Sequence, residues 1–559
     1  MSFIPMTASE LVERNWDYLD IIIISGDAYV DHPSFGAAII ARCLEAEGFR
    51  VGIISQPDVR VVEQFQQLGK PRLFFGITAG NMDSMVNHYT AQRKLRHDDA
   101  YSPDGVAGLR PDRATFVYTN IVKQLYKGVP VVIGGIEASL RRIAHYDFWQ
   151  DKIRNSILSD SKADILVYGM AEKPIIEVAK ALAEGIQVAD MQDIPSTVVF
   201  AKTPPQDTPL PEKQSSNQNQ CIILPPAEQC KDKSTFYQMT KLFTEHSNSA
   251  VLYQSSGGRW IKHNPPAKEL TTREMDYIYS LPFEYAAHPI YKGKSIPAYI
   301  QIKDSLTSHR GCYGGCNFCA ITCHQGRKVQ SRSQDSIITE AALHRGTISD
   351  VGGPTANMYS TSCKLGFPDS CKRRSCLFPK ICPNLSYSHD GQLELLKTIG
   401  NLPQIKHVFI SSGIRHDMAL SSDRYISEIA LKYTGGRLKL APEHCDPKVL
   451  RLMGKPDIES YEAFSNKFFA YTHAQGLKRQ IIPYLIIGHP GSSKADAIAL
   501  RNWLMKHNIR VEQVQEFTPT PMSISTCMYY TGLDFDTGEA INIPSPGEVR
   551  EQKKIILWK

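Results

Sequence analysis

The clearest chemical signature in this chain is a group of three cysteines, Cys312, Cys316 and Cys319, in the spacing CX3CX2C. A [4Fe–4S] cluster normally takes four cysteinates, so three ligands in one loop leave one iron open to a ligand from outside the protein. The glycines between and before them let the backbone fold closely around a bulky cofactor, and Phe318 can shield the sulfurs. The loop therefore predicts an iron–sulfur cluster with one exchangeable position.

Zinc competes with a cluster for this loop. A structural zinc site needs four ligands, and the loop could supply a fourth only through Cys323 or His324. A plain electron-carrier cluster usually has four cysteines in its motif. We therefore favour the three-cysteine cluster and leave Cys323 out of it. The alternative is a non-catalytic zinc- or cluster-binding protein that recognises nucleic acid through its basic, cysteine-rich segment.

The other cysteines are of two kinds. The chain has 13 cysteines, and those between 312 and 382 are crowded, as metal ligands are in a protein from a reducing compartment. Cys43 falls on the apolar face of a predicted helix, so we expect a buried residue without chemistry. Four cysteines at irregular spacing could close an auxiliary cluster or a zinc site, or belong to an exposed loop without a common role. These four are Cys363, Cys371, Cys376 and Cys382.

Residues 1–200 predict an α/β domain with a doubly wound parallel sheet. Short apolar runs alternate with amphipathic stretches, as in DIIIISG, RVGIISQ, RLFFGIT, VPVVIGG and ADILVYG. Ligands of such sheets bind beyond the carboxyl ends of the strands. The residues at those ends either line a crevice or, for the glycines, only make tight turns. They are Gly26, Asp27, Gly134, Gly135 and Glu137.

Residues 201–297 are predicted as a linker and a junction, because PPQDTPLPEKQSSNQNQ has several prolines and no apolar period. From 298 to 559 a second alternating pattern predicts about six βα units. Its strands are AYIQI, TISDVGG, HVFISSG, RLKLAPE, QIIPYLIIG and VEQVQEF. Six units are too few for an eight-stranded barrel, so we expect a partial (βα)6 barrel with its chemistry at the carboxyl ends of the strands.

A CX3CX2C loop after the first strand of a six-unit βα domain resembles the radical S-adenosylmethionine (SAM) superfamily. GDAYVDHPSFG at 26–36, FFGITAGNMDSMVNHYTAQR at 74–93 and GGIEASLRRIAHYDFW at 134–149 resemble the YgiQ family of bacterial radical SAM proteins. The resemblance implies an enzyme with one [4Fe–4S] cluster on Cys312, Cys316 and Cys319, and with SAM on the open iron. It also implies cleavage of SAM to a 5′-deoxyadenosyl radical, with electrons from a flavodoxin or ferredoxin. It names neither a substrate nor a catalytic side chain.

The same resemblance implies which residues contact SAM. They follow the second, third and fifth strands of the predicted barrel, where the family meets the amino group and the adenine of SAM. Pro354 stands where many members of the superfamily have glutamate, so one contact departs from the pattern. The expected SAM contacts are Gly352, Gly353, Ser412, Gly413 and Gly488.

The strand ends VVIGG and ILVYG resemble those of cobalamin-binding domains that precede some radical SAM domains. A cobalt-ligating D-x-H-x-x-G is absent, because DHPSFG at 31–36 has these letters at another spacing. From the sequence we therefore do not expect cobalamin as a cofactor.

Composition excludes some partners. A net charge of +6 over 559 residues is too weak to indicate nucleic acid. No apolar run is long enough to span a membrane, and the N-terminal residues lack the pattern of an export signal. We expect a cytoplasmic protein without a membrane partner.

Overall fold

The computed structural model describes residues 2–203, 221–368 and 371–557, and the chain forms two compact units. The first unit comprises Met1–Lys268, Ile278–Lys303 and Thr520–Met522. The second comprises Glu269–Tyr277, Asp304–Pro519 and Ser523–Lys559. The chain therefore passes between the units several times. No helix in the described ranges is long and apolar enough to cross a membrane.

A nine-stranded sheet is the centre of the first unit. In the parallel part of this sheet, the strand that comes first along the chain lies between the strands that come second and third. This is a doubly wound order. The predicted fold class is thus confirmed. The isoleucines of the first strand are all buried, as in parallel sheets covered on both faces. In spatial order the parallel strands are Val51–Ser55, Ile21–Ser25, Phe74–Thr78, Val131–Gly134 and Ile165–Val167.

The sheet continues past its parallel part into the segment that was predicted as linker and junction. Alternating burial in Val251–Ser256 is the signature of a half-buried strand. The described residues 221–263 therefore extend the sheet, whereas 204–220 of the predicted linker lie outside the described residues. The additional strands are Thr197–Phe200, Arg259–His263, Val251–Ser256 and Cys221–Ile223.

Helices and short strands complete the first unit. Two short antiparallel pairs are Val30–Asp31 with Ala286–Ala287 and His145–Asp147 with Lys152–Arg154. The α-helices are Ala8–Glu13, Gly36–Ala46, Glu63–Gln66, Ser84–His88, Ala114–Leu125, Gly135–Ser139, Ile157–Ser161, Glu172–Ala183, Lys233–His246 and Pro297–Ile302, and Thr272–Tyr279 belongs to both units.

The second unit is the predicted partial barrel, with six βα positions. Parallel pairing and one parallel bridge, Ile414 with Leu440, connect neighbouring strands around it. Ile348, Leu438 and other residues of the outer face pack against the helices. The strands are Ser305–Thr307, Gly346–Ile348 continued by Asp350–Gly352, Ile405–Val408, Arg437–Glu443, Gln480–Ile487 and Gln515–Glu516.

The helices of this unit follow the strands. Ser493 and Asp496 form the predicted capping box at the start of one of them. Short antiparallel pairs are His309–Arg310 with Gln330–Ser331 and Ser362–Cys363 with Leu385–Ser386. The α-helices are Ile321–His324, Gln334–Ala341, Asp390–Gly400, His416–Ala419, Asp423–Glu428, Pro447–Met453, Ile458–Ala474, Lys494–Lys506, Ile524–Thr531 and Pro546–Ile556, and Ile429–Tyr433 is a π-helix.

One predicted strand is a helix. Residues 298–302, AYIQI, lie in the helix Pro297–Ile302, and the first barrel strand is Ser305–Thr307 instead. Pro297 occupies the start of this helix, where its fixed φ favours helical geometry and its missing N–H costs nothing. Alternation over five residues is too short to distinguish the period of a strand from that of a helix.

Candidate cluster and SAM site

The CX3CX2C loop follows the first barrel strand and is fixed by hydrogen bonds of Asn317. The backbone N–H of Asn317 donates to the Met453 carbonyl (2.9 Å), and its side-chain amide donates to the Leu452 carbonyl (2.9 Å). The Ser525 N–H donates to the Asn317 carbonyl (2.8 Å). Since the asparagine stands between the second and third cysteine, these bonds fix the part of the loop that carries them.

The three cysteines of the loop lie close together. A Cβ atom added at Gly314 would lie 3.3 Å from the Cys312 Sγ and 3.6 Å from the Cys316 Sγ, so both thiols approach the same glycine. Burial raises the pKa of Cys312 and of Cys319, and the Cys316 thiol raises both further. The structure thus brings the predicted ligands together. That they bind a cluster stays a prediction.

A buried ion pair adjoins these thiols. The Arg415 Nη1 lies 3.8 Å from the Cys316 Sγ, and the same guanidinium donates to both carboxylate oxygens of Asp417, at 2.9 and 2.6 Å. Asn357 accepts a hydrogen bond from the Arg415 N–H (2.8 Å) and donates to the Arg415 carbonyl (2.9 Å). Sequence reasoning missed Arg415, although it directly follows the predicted third strand end.

A second buried ion pair stands at the end of the fourth barrel strand. Glu443 has φ 69°, a left-handed conformation that costs free energy in a non-glycine residue and is found mainly at functional sites. Burial raises the pKa of Glu443, while the positive charges of Lys455 and Arg415 oppose that shift. The Lys455 Nζ lies 3.7 Å from the Glu443 Oε1. Glu443 is the last residue of the predicted strand RLKLAPE.

Asp350 ties the second and third strand ends together. Its Oδ1 accepts hydrogen bonds from the N–H groups of Ser411 (2.7 Å) and Ser412 (3.1 Å) and from the Ser412 hydroxyl (3.2 Å). Burial raises the pKa of Asp350, against the effect of these donors. This carboxylate therefore fixes the backbone that carries two of the predicted SAM contacts.

The predicted SAM glycines are closely packed by the protein itself. A Cβ at Gly352 would overlap the Ser412 Oγ, and one at Gly353 would lie 2.6 Å from the His309 carbonyl oxygen. Gly413 and Gly488 have φ of 83° and 72°, which favours glycine. Each glycine thus has a packing or conformational reason to be there. Their contact with SAM stays a prediction.

A cavity of about 550 Å³ opens inside the barrel, on the side of the amino ends of several strands. Sequence reasoning did not anticipate it, because its side chains come from four different strands and their preceding turns. Its cationic residues favour an anionic ligand. The lining residues are Thr347, Ser349, Phe409, Ser411, Gly435, Gly436, Arg437, Lys439, Lys478 and Gln480.

In the first unit, the strand-end residues contact one another. Arg110 pairs with Asp27 (2.9 Å) and Asp99 (2.9 Å) and donates to the Ala79 carbonyl (2.6 Å). Burial raises the pKa of Asp27 to about 6, although Arg110 lowers it. Glu137 accepts hydrogen bonds from the N–H groups of Ser84 (2.9 Å) and Thr115 (3.0 Å). Asp27 and Glu137, two of the possible crevice residues, thus have partners within the first unit.

The segment 31–36 is likewise engaged within the first unit. Asp31 pairs with Arg42, and its carboxylate accepts the Glu284 N–H (3.2 Å). The His32 Nδ1 accepts the Ser34 N–H (3.0 Å). In the ranges that the structure describes, no group of three or more histidine, cysteine or acidic side chains is arranged to hold a single metal ion.

Known proteins resemble this chain over most of its length. The family model for the radical SAM N-terminal region matches residues 3–305. The UPF0313 protein YgiQ of Escherichia coli is 45% identical over 586 residues, covering 95% of this chain and 79% of its own length. A UPF0313 protein of Geobacter sulfurreducens is 47% identical, covering 100% and 92%. These relatives support an enzyme, and the metal-binding, nucleic-acid-recognising alternative is not supported.

Solved structures with this fold correct one expectation. The radical SAM methyltransferase TsrM from Kitasatospora setae, with cobalamin and a [4Fe–4S] cluster bound, matches with a TM-score of 0.51 at 13% identity. The match covers 96% of this chain and 90% of TsrM. The expectation against cobalamin was wrong, because it relied on one missing ligand motif, whereas the chain shares its fold with TsrM, which was solved with cobalamin bound. With its N-terminal match and its close relatives, this chain belongs to the UPF0313 (YgiQ) family of radical SAM enzymes.

Proposed function

We propose that the second unit binds one [4Fe–4S] cluster through Cys312, Cys316 and Cys319, with SAM on the remaining iron. The observation that carries this proposal is the approach of two of these thiols to Gly314, beside the buried Arg415. Bound together, the cluster and SAM supply reductive cleavage of SAM to methionine and a 5′-deoxyadenosyl radical. A flavodoxin or ferredoxin would deliver the electron.

Arg415 supplies positive charge beside the cluster ligands. Thiolates and a reduced cluster are negatively charged, and a buried cation close to Cys316 stabilises both. Asp417 holds the guanidinium by two hydrogen bonds, and Asn357 holds its backbone. Arg415 therefore needs little reorganisation when the cluster takes up an electron.

The strand ends would hold SAM. Asp350 orients the backbone at Ser412, next to the predicted contact Gly413. On this basis we keep the predicted SAM contacts as a proposal. They are Gly352, Gly353, Ser412, Gly413 and Gly488.

We also propose cobalamin as a ligand of the first unit, on the basis of the shared fold with TsrM. Because the sequence lacks the D-x-H-x-x-G motif, we expect cobalamin to bind without the histidine of that motif. Titration of the purified protein with hydroxocobalamin, followed by gel filtration and cobalt analysis, tests this proposal. We expect about one cobalt per chain, and a protein fraction without cobalt would refute it.

The cluster proposal is tested by electron paramagnetic resonance. The protein is reconstituted anaerobically with iron and sulfide, reduced with dithionite, and measured with and without SAM. We expect a [4Fe–4S] signal that changes when SAM is added, and release of 5′-deoxyadenosine on a chromatogram. In Cys316→Ala, both should be lost.

Cys445→Ala is the matched control, because Cys445 is a half-buried thiol of the same unit outside the loop. It should retain the SAM-dependent signal. The proposal is wrong if the wild-type spectrum does not change when SAM is added, or if the loop holds stoichiometric zinc instead of iron.

A further inference from the structure

A second cysteine group lies on an excursion of the barrel unit, residues 361–386. The excursion is closed at its base by the short antiparallel strands Ser362–Cys363 and Leu385–Ser386. The described residues between these strands contain no helix or strand. The described part of the excursion has few backbone hydrogen bonds, so it needs further stabilisation.

Backbone hydrogen bonds hold several cysteines of this excursion near one another. Cys363 pairs with Leu385 in the ladder, the Leu385 N–H donates to the Cys382 carbonyl (2.9 Å), and the Cys382 N–H donates to the Cys376 carbonyl (2.7 Å). Burial raises the pKa of the Cys376 thiol, and the thiols of Cys382, Cys371 and Cys363 each raise it further. The ladder and these hydrogen bonds bring Cys363, Cys376 and Cys382 close together in the fold.

Positive charge surrounds these thiols. Arg327 lowers the pKa of Cys376, which opposes the effect of burial. Arg373 donates hydrogen bonds to the carbonyls of Ser375 (3.1 Å) and Lys380 (2.8 Å) within the excursion. A centre with four thiolates is negatively charged, and cations of this kind stabilise it.

The excursion is also fixed to the CX3CX2C loop. The Cys376 N–H donates to the Tyr313 carbonyl (3.1 Å), and the Ser375 hydroxyl donates to the Gly314 carbonyl (2.6 Å). The Tyr313 ring, which is fully buried, stacks on Phe367 with centroids 5.6 Å apart. Burial raises the pKa of Tyr313 to about 12, and Cys376 and Cys363 contribute. The second cysteine group is thus next to the first.

We propose that Cys363, Cys371, Cys376 and Cys382 bind a second [4Fe–4S] cluster. Four cysteinates are the normal ligand set of such a cluster, and the spacing CX7CX4CX5C lacks the paired CxxC knuckles common in structural zinc sites. All four cysteines are free thiols. Cysteines of a cluster bind separate irons, so neither this group nor the CX3CX2C loop has to surround a single ion.

The test is the iron content of a variant that lacks the first site, Cys312→Ala, Cys316→Ala and Cys319→Ala combined. After anaerobic reconstitution and desalting, we expect about four irons per chain in this variant and about eight in the wild type. Its reduced spectrum should not respond to SAM. Addition of Cys376→Ala and Cys382→Ala should remove the remaining iron.

Cys221→Ala and Cys445→Ala, added to the same triple variant, are the matched control and should leave the iron content unchanged. A folded triple variant without iron, or with one zinc in place of iron, would overturn the proposal. If the triple variant aggregates, the Mössbauer spectrum of the wild type decides between two clusters per chain and one. Failure of the first site would appear separately, as a wild-type spectrum that ignores SAM.

Discussion

Gly352 lies at the end of a barrel strand. A substitution there tests whether packing or ligand binding is the reason that this residue is a glycine. A Cβ at this position would overlap the Ser412 Oγ and lie 3.1 Å from the Ser412 Cβ. In Gly352→Ala, Ser412 must therefore rotate and lose its hydrogen bond to the buried Asp350 carboxylate, or the two strands must separate. A hydrogen bond to a charged group contributes about 1.5–3 kcal/mol, and overpacking costs a similar amount. We expect a loss of about 2–3 kcal/mol in the free energy of unfolding.

A double-mutant cycle isolates this contact. In a Ser412→Gly background the obstructing side chain is absent, so Gly352→Ala should lower the free energy of unfolding by less than about 1 kcal/mol. The coupling energy between residues 352 and 412 should therefore be about 1–2 kcal/mol. Gly400→Ala is the control, because a Cβ there meets only the Val408 Cγ2 at the ordinary distance of 3.9 Å. It should be neutral or stabilising, since alanine favours a helix.

The assay is urea unfolding without iron or SAM, followed by hydrogen exchange of peptides that cover residues 346–352. Hydrogen exchange of these peptides reports on the second unit alone. The stability can therefore be measured without assuming that both units unfold in a single transition. If Gly352→Ala unfolds at the wild-type urea concentration but no longer binds SAM, the glycine serves the ligand and the packing argument is refuted. Equal losses in both backgrounds would refute the assigned contact with Ser412.

Three further predictions concern buried charges. Arg110→Met leaves two carboxylates buried without their partner and should lower stability by about 3–5 kcal/mol in thermal melts. Arg60→Met, at an exposed pair, should leave the melting temperature nearly unchanged. Burial lowers the pKa of His489 to about 3, so below about pH 6.5 only the unfolded chain takes up its proton. Stability should therefore fall by up to about 1.4 kcal/mol per pH unit toward pH 4, with a shallower slope in His489→Gln; an unchanged slope would contradict this. Arg415→Met should lower the reduction potential of the cluster in a redox titration, and Arg424→Met, at an exposed ion pair, should not.

The sequence predicted most of the fold because its strands have strong local patterns. RLKLAPE is the strand Arg437–Glu443 residue for residue, and alternating burial in that strand explains why. The helix Pro297–Ile302 was missed because a five-residue alternation fits either period. The strand Val251–Ser256 was missed although Gly257 and Gly258 separate it from Arg259–His263 in a hairpin pattern. Both missed elements have six residues, so length alone does not decide whether a local pattern predicts an element.

The candidate site was only partly predictable. The spacing of the cysteines is local, so the sequence could show it directly. The contact of Arg415 with Cys316 joins residues nearly a hundred positions apart, and one sequence carries no signal of such a pair. Buried networks such as Asp27 with Arg110 are equally invisible, because a charged residue at a strand end is compatible with a ligand site and with an internal ion pair.

The repeated passage of the chain between its two units has a consequence during synthesis. The first unit needs Ala286–Ala287 to pair with Val30–Asp31, and the Ser295 N–H donates to the Asp104 carboxylate (2.9 Å). A nascent chain that has left the ribosome only as far as residue 268 therefore lacks parts of its first domain. Although domains usually fold one after another from the N-terminus, here the first must wait for roughly the residues up to Lys303 to emerge. Until then Val30–Asp31 lacks its partner strand, although every strand of the nine-stranded sheet has already been synthesised.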